Sequence, residues 1–206
     1  MKIIEPSAEL VMDFDGAAVM RHIEKCGRVC YRSQATDDSA DNFIRMLIKR
    51  GHESVLEHFS CTFKIVCDRG VMAELTRHRL ASFSIESTRY CKYDDMQFIH
   101  PEPEDKYLGT FLDYDCREVW ERVEIYYSYL TGRNGYPPEQ ARAILPLSLA
   151  TTIMMTANLR EWRHILKLRT DKAAHPQMRQ VANMILSVLK QKLPIVFEDI
   201  GGEKNA

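Results

Sequence analysis

The sequence predicts helices and strands mixed within a single domain over residues 1–206, and three observations support this prediction. Residues 59–67 alternate apolar and polar side chains, which is the period of a half-buried strand. Residues 117–130 and 176–189 instead place apolar side chains at helical spacing. The 206 residues are 45% hydrophobic, enough to bury one sizeable core, and no linker rich in Gly, Ser or Pro divides them.

Start and stop signals assign the elements of the first half of the chain. Proline lacks the backbone donor that a strand needs, and glycine commonly ends a helix. The predicted elements are a strand at 2–5 before Pro6, a helix at 17–25 ending at Gly27, a helix that Ser39 caps and Gly51 ends, the strand at 59–67, and a short helix around 71–75.

The second half is assigned in the same way. The proline- and charge-rich segment from Tyr90 to Thr110 is predicted to be loop. The elements after it are a helix at 117–130 before Gly132, a helix starting at 139–145, a strand at 150–156, a helix that Asn158 opens, with Glu161 as capping-box partner, and a last helix from Pro176. The apolar run at 150–156 also fits a buried helix, but its Thr and Ile content favours a strand.

Charge and cysteine content limit the classes of function. Lys and Arg total 28 against 29 acidic residues, so the chain lacks the overall positive field of a nucleic-acid binder. No apolar run approaches the roughly 20 residues that a membrane span needs. Acidic residues interrupt any signal-like apolar run near the amino terminus, and the six cysteines form no Cys-x-x-Cys pair. We therefore expect a cytoplasmic protein with reduced thiols that binds neither nucleic acid nor membrane.

The most informative stretch covers residues 74–90 and reads ELTRHRLASFSIESTRY. It sets Arg77, His78 and Arg79 side by side and follows them with hydroxyl side chains and Arg89. Guanidinium forks and hydroxyls match the oxygens of phosphates and carboxylates. A solvated helix end is the simpler interpretation of a basic triplet, but the helix macrodipole accounts for one of these cations and hardly for the others. The sequence thus predicts a Ser-rich loop that binds anions.

A second set of basic residues lies in the carboxy-terminal half. Each one alone is equally well explained by a solvated surface. If the fold gathers some of them near the basic stretch, the protein has several anion positions and more than one phosphorylated ligand. The set comprises Arg142, Arg160, Arg163, His164 and Arg169.

The segment GHESVLEH at 51–58 raises the question of a metal site. A zinc-binding helix of the metalloprotease type needs two histidines four residues apart, but here His58 comes six residues after His52. We therefore expect no metal, and polar residues that line a pocket or cap a helix. Ser54 is positioned in this segment to reach a phosphate.

The basic stretch resembles the signature of the flavin-dependent thymidylate synthases, an Arg-His-Arg triplet followed by a spaced Ser-x-Arg. Three flanking segments are similar to the family's in the same order, over roughly residues 45–190. They are GHESVLEH, ARAILPLSLATT and NLREWRHILKLR.

This resemblance implies an α+β fold in which helices pack around a central antiparallel sheet. It implies methylation of dUMP to dTMP with 5,10-methylenetetrahydrofolate as carbon donor, which is released as tetrahydrofolate. FAD would pass the reducing electrons from NADPH. It also implies a homotetramer with sites shared between subunits, which suits a chain without a dinucleotide-binding Gly-x-Gly-x-x-Gly motif after a strand.

The resemblance also assigns site residues by position. The flavin contacts it implies are Ser54, Arg77, His78, Arg79, Asn158, Leu159, Arg160 and His164. The nucleotide contacts it implies are Glu74, Leu75, Thr76, Arg77, Ile85, Glu86, Ser87, Thr88, Arg89, Arg142 and Arg169. His52 falls near the flavin and folate end. Arg169 matches the arginine placed against the pyrimidine, where a fixed positive charge stabilises the anion formed when N3 loses its proton, so it is our candidate catalytic residue.

Ser87 is the hydroxyl that invites a role as nucleophile. The sequence places no base beside it, and a serine at its ordinary pKa attacks poorly, so we assign it to phosphate binding. The chain also lacks the Pro-Cys-Gln segment of the folate-only thymidylate synthases, which use a cysteine nucleophile. A flavin route without an enzyme nucleophile is consistent with both observations.

Two positions depart from the residues that are frequent in the family. Glu74 stands where many members carry Gln, and Ser84 and Ile85 stand where many carry Asn-Glu or Gln. A carboxylate near a nucleotide phosphate is repulsive unless it accepts from a sugar hydroxyl or pairs with an arginine. Ile85 can serve a ligand only through its backbone.

Two other functions are compatible with parts of the sequence. A nucleotide-sensing module would use the same anion loop and would bind dUMP without flavin-dependent turnover. A metal-dependent nucleotide hydrolase would use His52, Glu53, Glu57 and His58 and would lose its activity to a chelator.

Overall fold

The computed structural model describes residues 1–100 and 111–201. The helices are α1 (Gly16–Tyr31), α2 (Ala40–Lys49), α3 (Arg69–Leu75), α4 (Phe111–Thr131), α5 (Pro138–Ala141), α6 (Leu159–Arg169), α7 (Pro176–Lys192) and α8 (Pro194–Phe197), with 3-10 helices at Glu53–His58 and Arg142–Ile144. The strands are β1 (Lys2–Ile4), β2 (Ser7–Leu10), β3 (Ser60–Asp68), β4 (Ser82–Ile85), β5 (Gln97–Ile99) and β6 (Ala150–Asn158).

The strands form two sheets. The larger sheet is antiparallel and has the order β2-β3-β6-β4. Strands β1 and β5 form a separate pair that is parallel, with Ile3 opposite Phe98. The predicted α+β class with an antiparallel sheet is confirmed at this level, and the small parallel pair is an addition to it.

The chain divides into two compact units. The first comprises residues 1–7, 65–77 and 84–153, and the second comprises residues 8–64, 78–83 and 154 onward. Strands β3 and β6 each contribute residues to both units, so neither unit is a continuous segment.

Aromatic side chains dominate the core of the first unit. The rings of Phe98 and Trp120 stack at 5.1 Å with an interplanar angle of 4°. Stacked and edge-to-face pairs of this kind add to the hydrophobic contribution of the buried area. The buried members of this core are Met96, Phe98, Trp120, Tyr127, Ala141 and Leu149.

The core of the second unit forms where α6 packs on the amino-terminal half of β3. Trp162 is fully buried, its indole N–H donates to the Cys61 carbonyl oxygen at 3.2 Å, and its ring meets that of Phe63 edge-on at 5.3 Å. The predicted alternation of β3 is confirmed, because Cys61, Phe63, Ile65 and Cys67 are all buried. Burial raises the pKa of both cysteine thiols to about 12, so neither is a thiolate near neutral pH.

Helix α1 does not end at Gly27, and that prediction is wrong. The helix continues to Tyr31, and a Cβ at position 27 would lie 2.8 Å from Phe43 Cε1 of helix α2. Gly27 therefore allows α1 and α2 to approach closely. The reversal comes at Arg32, which adopts the left-handed conformation with φ of 46°.

Helix α2 starts at the predicted position, but for another reason. The Ser39 hydroxyl does not cap the helix; it donates to Glu24 Oε1 at 2.5 Å and contacts the Thr36 carbonyl oxygen at 2.8 Å. Asn158, in contrast, caps α6 as predicted, since its Oδ1 accepts from the Glu161 backbone N–H at 2.9 Å.

Three short strands were not predicted. The Ser-rich stretch contains β4, which was expected to be loop, and the segment from Tyr90 to Thr110 contains β5. Strand β2 follows directly after Pro6. Residues 101–110 of the predicted loop lie outside the described residues. The strands at 2–5 and 150–156 are confirmed as β1 and β6.

The predicted apolar face of α4 is buried only in part. Trp120 and Tyr127 are buried, but Val119 is 53% exposed and Tyr126 64% exposed. Val119 and Tyr126 each precede a buried residue by one position. Their side chains are therefore rotated by about 100° around the helix, away from the core.

The helix expected at 139–145 is broken. Helix α5 ends at Ala141 and a 3-10 turn follows to Ile144. Leu145 is extended, since a residue that precedes a proline, here Pro146, is excluded from the α conformation by contact with the proline ring.

Among the described residues, no helix has the length and apolarity that crossing a membrane requires.

Candidate active site

A tight turn after β4, within the first unit, holds part of the predicted nucleotide set. The backbone N–H groups of Tyr90 and Cys91 donate to the Ser87 carbonyl oxygen at 3.3 and 2.9 Å. The Ser87 hydroxyl oxygen accepts from the Arg89 backbone N–H at 3.2 Å. Because the hydroxyl acts here as an acceptor, its own proton remains available to an anion.

Two guanidinium groups meet this turn. Arg142 Nη1 donates to Thr88 Oγ1 at 3.4 Å, and Arg89 Nη2 donates to Glu139 Oε2 at 3.5 Å. Both arginines are exposed, and both contacts are long for charge-assisted hydrogen bonds. The two side chains are therefore held loosely enough to turn their donors toward a phosphate.

A half-buried hydrogen-bond chain supports Glu86 at the start of the turn. Tyr93 donates its phenol proton to Glu86 Oε1 at 2.6 Å and accepts from Arg69 Nη2 at 2.9 Å. Burial, followed by the contact with Glu86, raises the pKa of Tyr93, so the phenol stays protonated. Tyr93 thus fixes one carboxylate oxygen of Glu86.

The other predicted nucleotide residues of the first unit end helix α3 or border the turn. Leu75 is fully buried, backbone included. The Thr76 hydroxyl donates to the Ala73 carbonyl oxygen at 3.1 Å. Arg77 is exposed, and Glu74 and Ile85 are half-buried.

The second unit contains a buried imidazole next to the candidate catalytic arginine. Arg169 Nε donates to His78 Nε2 at 3.1 Å, and His78 is only 5% exposed. Burial, together with the charges of Arg169 and His164, lowers the pKa of His78 to about 4. The ring is therefore neutral near pH 7.

The contact also fixes the tautomer of His78. An arginine Nε can only donate, so His78 Nε2 must present a lone pair, and the single ring proton of the neutral imidazole lies on Nδ1. The Nδ1 atom lies 3.8 Å from Glu161 Oε1. Attraction to that carboxyl would favour the imidazolium, but an imidazolium would set two N–H groups against each other at Nε2. We therefore assign the neutral form.

His164 completes this group. Its ring meets that of His78 edge-on with the centroids 5.9 Å apart, and it is exposed on helix α6. Glu161 is buried, which raises the pKa of its carboxyl group, while the charge of His164 opposes that shift.

The 3-10 helix Glu53–His58 pairs its acids with the cations of α6. Glu57 Oε1 accepts from Arg160 Nη1 at 2.5 Å, and Glu53 Oε1 accepts from Arg163 Nη2 at 3.1 Å. Arg163 is fully buried and also binds both carboxylate oxygens of Asp199, at 2.7 and 2.9 Å. Arg163 is therefore a structural residue, and not a ligand position.

This pairing weakens the metal hydrolase hypothesis. Over residues 1–100 and 111–201, no group of three or more His, Cys, Asp or Glu side chains could hold a metal ion. The carboxylates that such an enzyme needs, Glu53 and Glu57, instead neutralise arginines.

The remaining predicted flavin contacts of the second unit are mostly at its surface. Ser54, Arg79, Arg160 and His52 are exposed, whereas Leu159 is buried and Asn158 is half-buried in its capping role. The exposed members are donors of the kind that a diphosphate accepts. The donor set therefore fits a ligand that carries a charged diphosphate.

Several residues of these groups were not predicted. Tyr93, Arg69 and Glu139 support the turn of the first unit, and Glu161 contacts His78 in the second. Of these, Glu161 had a detectable signal: it lies between His164 and Arg169 around helix α6 and so shares their face.

Buried polar side chains with shifted pKa values, next to exposed cations, are typical of an enzyme that binds phosphorylated ligands. The family model described as "Thymidylate synthase complementing protein" matches residues 15–195, so the chain belongs to this family.

Relatives from viruses, bacteria and archaea are similar over most of their length. A probable flavin-dependent thymidylate synthase of Mycobacterium phage L5 is 34% identical, over 91% of this chain and 82% of the relative. The flavin-dependent thymidylate synthase of Mycolicibacterium gilvum is 34% identical over 94% of this chain and 84% of the relative. That of Halobacterium salinarum is 31% identical over 79% of this chain and 76% of the relative. The predicted family, and the prediction of an enzyme that acts as a flavin-dependent thymidylate synthase, are confirmed.

Proposed function

We propose that this enzyme transfers the one-carbon unit of 5,10-methylenetetrahydrofolate to dUMP, with FAD as its flavin and NADPH as reductant. The products are dTMP, tetrahydrofolate and NADP⁺. The observation that carries this proposal is the family match over residues 15–195, which includes every residue that we assign to a ligand.

The nucleotide phosphate is assigned to the turn of the first unit. Ser87 offers a hydroxyl proton, and Arg89 and Arg142 offer guanidinium forks beside it. This combination of one hydroxyl and two cations suits a phosphate dianion. Glu74, Leu75, Thr76, Arg77, Ile85, Glu86 and Thr88 complete the proposed nucleotide set.

Arg169 is assigned to the pyrimidine. A guanidinium always carries its charge, so it can stabilise the N3 anion throughout the reaction. The contact of its Nε with His78 Nε2 supports this role, because it orients the guanidinium.

The residues of the second unit that we assign to the flavin are Ser54, His78, Arg79, Asn158, Leu159, Arg160 and His164, with His52 in its vicinity. Arg77, which belongs to the first unit, is assigned to the flavin as well. When bound, the flavin supplies the reducing electrons. His78 contributes through Arg169 and His164, since its own ring is buried.

We further propose one functional domain over residues 1–206 that assembles as a cytoplasmic homotetramer with shared sites. Strands β3 and β6 run through both units, which supports a single domain. Six free cysteines suit a compartment that keeps thiols reduced.

The test is the absorption spectrum and activity of the purified full-length chain. We expect flavin bands after incubation with FAD, and formation of dTMP from dUMP only when methylenetetrahydrofolate and NADPH are both present. A chain that takes up no flavin and forms no dTMP under these conditions contradicts the proposal, as does turnover that a chelator abolishes.

A further inference from the structure

Glu161 is a buried acid to which the proposed function gives no role. Its side chain is 7% exposed, and Oε1 lies 3.8 Å from Nδ1 of His78. On the opposite side of that ring, Nε2 accepts from Arg169 at 3.1 Å. The three side chains therefore form a row in which the imidazole separates the carboxyl group from the guanidinium.

We propose that Glu161 is a positioning residue, which holds the His78 proton on Nδ1 and thereby keeps Nε2 as the acceptor that orients Arg169. The inference rests on the proposed function for the catalytic role of Arg169. The relation between Glu161 and His78 is independent of that role.

The argument begins with the imidazole. A neutral ring has one proton for two nitrogens, and the hydrogen bond made by one nitrogen decides the tautomer at the other. With the proton on Nε2, the N–H group of His78 would face the Nε–H group of Arg169, and the two would repel each other. An acceptor facing Nδ1 is therefore needed to maintain the contact with Arg169.

Glu161 faces Nδ1 and can supply that acceptor. At 3.8 Å the contact is longer than a hydrogen bond, but it lies within the range of an attractive carboxyl-imidazole interaction. Contacts of this type are often long in an enzyme without ligand and shorten when substrate binds.

The protonation state of Glu161 does not alter this argument. Burial raises the pKa of the carboxyl group, and the groups that face it are His78 and His164. A protonated carboxyl group keeps its carbonyl oxygen, which still accepts from Nδ1–H. An acceptor is required at this position, whereas a negative charge is not.

Variants of Glu161 test whether this residue acts as a hydrogen-bond acceptor or only fills space. In Glu161→Met the acceptor is lost, and we expect kcat to fall about 10- to 100-fold, by analogy with the loss seen when the hydrogen-bond partner that orients a metal-binding histidine is removed. Glu161→Gln keeps a carbonyl oxygen and should recover most of that loss. Flavin content should be the same in both. Glu198→Gln, which removes an exposed charge paired with Arg45, is the matched control and should leave turnover unchanged.

The tautomer provides a readout that does not depend on activity. ¹⁵N NMR of the ring nitrogens, with His78 identified by the His78→Gln spectrum, should show the proton on Nδ1 in the unmodified chain and in Glu161→Gln. Glu161→Met should shift population toward the Nε2–H form.

A proton on Nε2 in the unmodified chain overturns the inference without any variant. So does a Glu161→Met enzyme with unchanged turnover or an unchanged tautomer. If the NMR result is as expected but Arg169→Ala has normal turnover, the proposed role of Arg169 has failed and the link between Glu161 and His78 stands.

Discussion

At the scale of single residues, the site depends on groups that keep a fixed protonation state. Arg169 stays charged, Tyr93 stays protonated and His78 stays neutral near pH 7. The states of Tyr93 and His78 follow from burial together with one or two named neighbours, and the charge of Arg169 is intrinsic to a guanidinium. The enzyme can therefore hold its donors and acceptors in one arrangement over the physiological pH range.

Arg169→Ala should retain flavin but lose most turnover. Removal of one preorganised group that stabilises developing charge costs roughly 10²- to 10³-fold in kcat. The measurement is kcat for dTMP formation beside the flavin absorbance of the same sample. Arg21→Ala, at an exposed arginine of α1, is the control for loss of a cation. Normal turnover in Arg169→Ala would refute its assignment.

Acid should destabilise the fold through His78. Its native pKa is about 4 and its ordinary value is 6.5, so between these two pH values the unfolded chain binds more protons than the native one. The free energy of unfolding therefore falls as pH decreases through this window, by up to about 3 kcal/mol from this group.

Urea unfolding between pH 7 and 4.5 measures this effect, with His78→Gln as the reference that lacks the titration. The raised pKa of Glu161 acts in the opposite direction, but it is present in both proteins. A pH dependence that is the same in both would contradict a neutral, buried His78.

Tyr93→Phe should weaken nucleotide binding without affecting flavin. The change removes the donor to Glu86 and the acceptor of Arg69 while keeping the ring that packs on Tyr127. A hydrogen bond to a charged group contributes about 1.5–3 kcal/mol, so KM for dUMP should rise about tenfold or more. Tyr136→Phe, at an exposed tyrosine, is the control. An unchanged KM would mean that Glu86 needs no support from Tyr93.

At the scale of the elements, the sequence pattern predicts the long and regular helices and strands. Strand β3 and helices α6 and α7 each offer several repeats of the relevant period, and the Thr and Ile content of β6 favours a strand. All four are confirmed. Strands β1, β2, β4 and β5 have three or four residues, too few to show an alternation. Of these only β1 was predicted, from the proline that follows it.

The residue types of the candidate site could also be predicted, but most contacts between them could not. The basic stretch identified His78 and Arg89, yet their partners Arg169 and Glu139 lie 91 and 50 positions away in the chain. Such pairs depend on tertiary packing, which local periodicity does not encode. The family resemblance supplied His78 and Arg169 but not the contact between them, and it assigned no ligand role to Glu161.

Gly27 illustrates the same limit and gives a prediction about stability. Gly27→Ala should destabilise the native state by about 1–3 kcal/mol, as overpacking usually does, although alanine favours a helix interior over glycine. The new Cβ would lie 2.8 Å from Phe43 Cε1. Phe43→Leu removes that ring atom, so the cost of Gly27→Ala, measured by thermal or urea unfolding, should be smaller in this background. An equal cost in both backgrounds would exclude the contact as its cause.

At the scale of the whole molecule, the ligand residues divide between the two units. Arg89 and Arg142 belong to the first unit, and His78 and Arg169 to the second. Helix α4 also exposes the large apolar side chains of Val119, Ile125 and Tyr126, and exposed apolar side chains that lie together commonly mark protein–protein interfaces. The exposed apolar side chains are consistent with the proposed homotetramer.

Mixing two inactive variants tests whether sites are shared between subunits. Arg169→Ala and Arg89→Ala should each lose turnover when assembled alone. If one subunit supplies Arg169 and another supplies Arg89, a random 1:1 reassembly after mild denaturation should restore about a quarter of the sites in a symmetric oligomer. The measurement is kcat per subunit before and after reassembly, with flavin content and mass checked in each sample.

The result separates two arrangements of the same arginines. If both come from one subunit, every site keeps one defective residue and no activity returns. Unmodified protein carried through the same cycle shows how much activity reassembly itself recovers. If tetramers reform but turnover is not restored, both arginines of a site come from the same subunit. Any sharing of sites between subunits would then have to involve other residues.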